Sequence, residues 1–263
     1  MLCCSHTAPF MHTGLHNGVK ELADNGLLLP NHVHIHCTSL NHHEMELFAA
    51  SGGKVSIATE TEMQMGMGIP PIRACINHGI KPTLASTRPA LSRPTTCPRC
   101  DWLYRCSDAS IMMLSMHPAR PRPTTIDLGV RDVLAWATRN GADAVRMPDR
   151  IGTLTPGKRA DITFISSKRF LNTSSFPLGT AILHSNAADV DTVMVDGVIR
   201  KRHSQLVGYN LDSIRAKAKD GLQRAMDNLP NFQPEMTGEK LDQFLLDAEH
   251  LTRANLAGAY ATR

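Results

Sequence analysis

The chain has 263 residues, 42% apolar and 20% charged, with 18 Gly and 16 Pro. That balance excludes collagen, a coiled coil and a wholly disordered chain. Its net charge of +4 is matched by six Arg against two Asp between residues 88 and 124, so the rest sums to zero and no nucleic-acid partner is expected. No run of about 18 apolar residues occurs, so no membrane span or membrane partner is expected. The start, MLCCSHTAPF, lacks the basic and apolar regions of a secretory leader. Seven Cys, an odd number, suit a reduced protein. A cytoplasmic location follows as the expectation.

In chain order, residues 1–43 read as a short strand, a helix and a second strand. Val19, Leu22 and Ala23 recur at helical spacing before Gly26. HVHIHC (32–37) alternates His with Val33, Ile35 and Cys37, as a strand with two different faces does. HHEMELFAASGG (42–53) predicts a helix stopped by two glycines, and KVSIAT (54–59) a strand. IPPIRACINHGI (69–80) predicts a helix opened by Pro71, and KPTLAS (81–86) a strand. Strands alternating with helices of about ten residues imply βαβ units and a parallel sheet.

Residues 87–124 break the rhythm. They hold six of the Pro and three of the Cys without sustained periodicity, and read as a long irregular insert. Cys97-x-x-Cys100 with Cys106 and His117 could supply four zinc ligands, but a lone C-x-x-C is a weak signal. Beyond the insert, 127–145 predicts an amphipathic helix pair with Val130, Val133, Leu134 and Ala137 on one face. IGTLTPGKRADITFIS (151–166) and VDTVMVDGVIRKR (190–202) predict short strands, with tight turns at Pro156-Gly157 and Asp196-Gly197. Residues 209–227 and 238–258 predict surface helices.

Two blocks carry a resemblance. HCTSLNHHEMELFAASGGKVSIATETEMQMGMGIPPIRACINHGIKPTLAS resembles strands six to eight of the metal-dependent amidohydrolases. The nearest branch holds cytosine deaminase, the adenosyl-nucleoside deaminases and the triazine chlorohydrolases. VRDVLAWATRNGADAVRMPDRIGTLTPGKRADITFIS resembles that branch's last barrel helix and its return to a small β-sandwich. The resemblance implies an α/β chain: the C-terminal half of a (β/α)8 barrel, part of a β-sandwich and C-terminal helices. The expected divisions are 1–148 (barrel), 149–208 (sandwich portion) and 209–263 (helical tail). It further implies a divalent metal, Zn2+ or Fe2+, and hydrolysis of a carbon–nitrogen or carbon–halogen bond in an amino- or halo-substituted heterocycle. Such an ion makes hydroxide available near neutral pH, at the carboxyl ends of barrel strands.

By the same resemblance, His36 matches the strand-six histidine that polarises or orients the substrate, with His34 expected on the same face. His6, 30 residues earlier, suits the strand-five metal ligand, with His12 and His16 as loop competitors. Glu60 and Glu62 follow strand seven and either line the substrate pocket or stabilise a helix start. The Met run at 63, 65 and 67 reads as packing. Placing His34-x-His36 at strand one would leave about 115 residues for a whole barrel, where about 250 are typical.

Two departures stand out. The first four strands and their H-x-H pair have no counterpart here. At the strand-eight position of a metal-binding, proton-shuttling Asp stands Thr87, whose hydroxyl does not ionise near neutral pH. We expect 87–106 to derive from a shifted frame or misplaced exon boundary, and this chain alone to turn over little. A binding or regulatory partner of an intact homologue is the alternative, and half a barrel, with two open edges, leaves room for a homo-oligomer.

Overall fold

A computed structural model of the protein describes residues 3–7, 18–64, 69–85, 128–168, 175–231 and most of 238–250. The first four strands form one parallel sheet in the order β1-β2-β3-β4. They are β1 (Cys3–Thr7), β2 (His32–His36), β3 (Lys54–Ile57) and β4 (Thr83–Leu84). Helices α1 (Gly18–Asp24), α2 (His42–Ser51), α3 (Thr59–Gln64) and α4 (Ile72–Asn77) lie between them in the chain. This is the strand–helix alternation expected from the sequence, with the strands trimmed by one to four residues. Helix α3 is a finding: six residues are too few for a periodic signal to stand out from a strand end.

Register assigns the sheet's two faces. His6, Ile35, Ser56 and Thr83 fall in one row across all four strands, and Thr83 Oγ1 donates to Ser56 Oγ at 3.4 Å. The neighbouring row pairs Ser5, His34 and Val55. Val55 and Ile57 share a core with Met45 and Phe48 of α2. Helix α2 is sharply bounded: Asn41 accepts from the Glu44 amide at 2.9 Å, and Glu44 accepts from the Asn41 amide at 3.2 Å. This reciprocal cap satisfies two of the helix's open N–H groups. The other Glu44 oxygen takes the Val19 amide at 3.3 Å, tying α1 to α2. At the far end Gly52 adopts φ 72°, the left-handed conformation that ends a helix cheaply only in glycine.

The core extends through Leu128 and the pair α5 (Val130–Ala137) and α6 (Arg139–Ala144), where Val133 and Trp136 are buried, and on to Ile182. Ile182 belongs to α7 (Pro177–Leu183), which opens on a proline at its first position and lies in a stretch with no predicted element. The expected helix pair at 127–145 is present.

A second sheet, antiparallel, runs β5-β6-β7-β8. Its strands are β5 (Ile162–Ile165), β6 (Val190–Val195), β7 (Val198–Arg202) and β8 (Gln205–Leu206). Asp196 and Gly197 both have positive φ, 51° and 79°, which is the two-residue hairpin the Asp-Gly pair predicts. The strand expected from 151 begins only at Ile162. Residues 151–153 and 156–158 are bends and turns, where Gly152 and Gly157 hold φ 89° and 91°. That turn region is fastened to the hairpin: Arg159 pairs with Asp196 at 2.9 Å, and Asp161 accepts the Asp196 amide at 2.7 Å. Helix α8 (Leu211–Asn228) buries none of its residues, in keeping with the surface helix expected at 209–227. The described residues between 239 and 250 are helical too. Among the described residues no helix is long and apolar enough to cross a membrane.

Thr87, the stretch 87–124 with Cys97, Cys100, Cys106 and His117, and His12, His16, Met65 and Met67 lie outside the described residues.

Candidate active site

His36 is the last residue of β2, at the carboxyl end of the parallel sheet. Its backbone leaves the strand abruptly: His36 has φ 78° and Cys37 φ 56°, unusual values for residues with side chains. The Cys37 amide still reaches the Thr7 carbonyl at 2.9 Å, so the ladder with β1 survives the bend. Backbone strain of this kind is retained only where the surroundings impose it.

Here those surroundings include Glu62. His36 Nδ1 lies 3.1 Å from Glu62 Oε1, and the two side chains are 1% and 0% exposed. Glu62 sits in α3, just past the end of β3, and its Oε1 also accepts the Ala58 amide at 2.8 Å. Glu62 Oε2 is buried without a hydrogen-bond partner among the described residues. Burial raises the Glu62 pKa, and the hydrogen bonds from His36 and Ala58 oppose that rise.

His34 takes a different part. Its Nδ1 lies 2.8 Å from Thr7 Oγ1, and its ring meets Phe48 edge-on with centroids 4.7 Å apart. It therefore belongs to the core beneath α2. The simple alternation expected to bring His34 and His36 to one face is broken at His36 by its positive φ.

Burial, with the neighbouring His32, lowers the His34 pKa from 6.5 to about 4. The folded state thus disfavours the proton that the unfolded chain binds near pH 6.5. Stability is complete above that pH and lost as pH falls toward 4, by about 2 kcal/mol between pH 7 and 5. Denaturation midpoints at the two pH values should show this loss, and it should shrink in His34→Phe. An equal loss in that variant would assign it to other groups.

Two buried thiols adjoin the site. Burial raises Cys37 well above the ordinary thiol range, and it raises Cys75 as well, with the Glu62 charge adding to both. Thiols held protonated are poor nucleophiles, so Cys37 and Cys75 fit packing roles.

His6 lies in β1, in register with Ile35, and Glu60 lies in α3; their side chains, like that of Met63, are outside the described set. Among the described residues no three His, Cys, Asp or Glu side chains converge where they could hold a metal ion. His36 and Glu62 are two donor side chains, where a metal site needs three or more. The described donor set therefore does not fit a metal by itself.

Sequence reading singled out His36 and Glu62 separately and missed that they are partners. The signal lay in ATETE: an acid four residues beyond Ala58 can fold back on that amide.

The sequence profile of the amidohydrolase family matches residues 5–200. A 5′-deoxyadenosine deaminase of Methanothermobacter thermautotrophicus is 29% identical over 190 residues, 72% of this chain and 42% of its own length. An S-triazine hydrolase of Gordonia rubripertincta is 26% identical over 168 residues, 64% of this chain and 33% of its own. The crystal structure of an adenosine deaminase from Xanthomonas campestris with bound zinc superposes with a TM-score of 0.67 and 19% identity. That match covers 85% of this chain and 51% of the deaminase. Its fold, and not its ligand, is what the superposition carries over. The parallel sheet with its helices is accordingly part of an amidohydrolase barrel, and the chain spans 42% of the length of the first of these curated relatives. On the match across residues 5–200, this chain belongs to the amidohydrolase family.

Proposed function

We propose that the chain is the C-terminal part of an amidohydrolase that acts on a non-peptide carbon–nitrogen bond, of deaminase or chlorohydrolase type. The observation that supports this most is His36, buried at the carboxyl end of a parallel strand and held by Glu62, where barrel enzymes carry their chemistry. The substrate class is an amino- or halo-substituted heterocycle, following relatives that are deaminases and a triazine hydrolase. Water adds to the electrophilic ring carbon, the bond to the leaving group breaks, and ammonia or halide departs. His36 polarises or orients the attacked group. Glu60 and Glu62 are assigned to the substrate side, and His6 to a metal ligand.

The divalent ion, Zn2+ or Fe2+, belongs in this reading to the complete enzyme and not to the described residues alone. Residues 1–148 are the barrel portion, 149–208 the sandwich portion and 209–263 the helical tail. The reading further takes the protein as cytoplasmic, without nucleic-acid or membrane partners, and leaves room for a homo-oligomer.

Ammonia release from adenosine, cytosine, guanine and amino-triazines, with zinc added to the purified chain, tests the proposal. Weak zinc-dependent release is expected, reduced about 100-fold in His36→Ala, the usual scale for a residue assisting proton transfer. Turnover that survives His36→Ala would show the site assignment to be wrong.

Thr87, standing where relatives place a metal-binding and proton-shuttling Asp, favours a second reading. In it the chain is a non-catalytic binding or regulatory partner of an intact homologue. Co-purification with a full-length relative, without turnover of its own, would select that reading.

A further inference from the structure

Two buried oxygens at the carboxyl end of the parallel sheet, Glu62 Oε2 and Thr59 Oγ1, have no hydrogen-bond partner among the described residues. Both belong to α3, which follows β3 after Ala58. They stand three positions apart, which brings their side chains to one helix face. Glu62 Oε1 accepts the Ala58 amide at 2.8 Å, so the carboxyl folds back over the turn that Thr59 begins. The same Oε1 lies 3.1 Å from His36 Nδ1. Oε2, on that carboxyl, is therefore beside the histidine assigned to the attacked group.

Glu62 is 0% exposed and Thr59 4%, so bulk water does not serve these oxygens. Thr38 and Thr61, buried and close in the chain to His36 and Glu62, are already engaged. A buried acceptor left without a donor is costly, and native structures satisfy nearly all of them. A carboxylate oxygen accepts only, and a hydroxyl oxygen accepts as well as donates. An amino group brings two N–H donors to such a pair. A halogen brings none, and it sets an electron-rich atom against the carboxylate.

We infer that Thr59 Oγ1 and Glu62 Oε2 form an acceptor pair for the amino group on the attacked carbon, so that the site selects amino- over halo-substituted heterocycles. The inference rests on the proposed hydrolase reading and narrows it to the deaminase type. It also gives Thr59 a part in substrate choice. A site built to hydrogen-bond an N–H group rejects an analogue that lacks it, because its own buried atoms are then left unpaired.

Calorimetric binding of adenine and 6-chloropurine to the full chain tests this without any turnover, since the two differ only in the amino or chloro group. Adenine should bind about 10- to 100-fold more tightly. Thr59→Val removes one acceptor at nearly constant volume and should shrink that ratio about 5-fold. In Glu62→Gln the amide oxygen keeps the Ala58 N–H, so the amide nitrogen takes the place of Oε2. Donor then faces donor, and the preference for adenine should vanish or invert. A purely structural role for either residue would weaken both purines alike and leave the ratio unmoved.

Equal affinities in the native chain, no measurable binding of adenine, or an unchanged ratio in the folded variants would each overturn the inference. Should Glu62→Gln not fold, the native ratio and Thr59→Val still decide. A preference for adenine that responds to both substitutions, without ammonia release, would count against the hydrolase reading and leave the acceptor pair standing.

Discussion

Replacing Phe48 by Ala should destabilise the protein by about 3–5 kcal/mol, the scale for removing a fully buried aromatic ring. Phe48 is 0% exposed and belongs to the cluster with Met45, Val55 and Ile57. Its ring also forms one wall of the His34 environment, at 4.7 Å between centroids. A Cβ at Gly53 would come within 3.0 Å of the ring's Cζ, so packing there is tight and little collapse into the vacated space is expected. Truncation would admit water beside His34 as well, weakening the burial that keeps that imidazole neutral. Urea denaturation followed by tryptophan fluorescence checks this, with Leu154→Ala as the comparison, since Leu154 is 80% exposed. The exposed site should change stability by less than about 0.5 kcal/mol. A loss under about 1 kcal/mol for Phe48→Ala would show that α2 is not docked on the parallel sheet as described.

Gly152→Ala should cost about 3 kcal/mol, from two separable causes. The backbone there has φ 89°, where a side chain is strained. In addition, an added Cβ would stand 2.6 Å from Ala142 Cβ and 3.3 Å from the Thr138 carbonyl oxygen. Backbone cannot move aside as a flexible side chain can, so α6 or the turn must shift. Gly157→Ala isolates the first cause: its φ is 91°, yet nothing lies within 4 Å of the added carbon. It should cost only about 1–2 kcal/mol. Thermal denaturation of both variants measures the difference; at about 2–4 °C per kcal/mol, Gly152→Ala should melt roughly 6–12 °C below the native chain. Equal losses at the two positions would show that Gly152 does not pack on α6.

The contrast between those glycines shows how far the sequence reaches. GTLTPGKRAD marks a turn by composition alone, and Asp196-Gly197 marks a hairpin, because both features follow from local backbone preferences. The alternation HVHIHC and the helices at 42–53 and 127–145 were legible for the same reason: their periods are written into consecutive residues. Helices α3 and α7 were not, being too short to display a period. The strand expected from 151 shortened to Ile162–Ile165 because two glycines with positive φ spend those residues on turns.

The candidate site divides along the same line. That His36 ends a strand of a barrel followed from its neighbours in the chain. That it meets Glu62, 26 residues away, followed only from register and from the bend at φ 78°. His34 makes the point most plainly. Two residues before His36, it was expected beside it, and the fold instead gives it to Thr7 and Phe48 in the core. Sequence by itself determined the order of elements, the family and the residue types available for chemistry, because these depend on local preference and pattern. Which of those residues touch was decided by tertiary structure alone, since a hydrogen bond depends on distances between strands and helices that no spacing along the chain encodes.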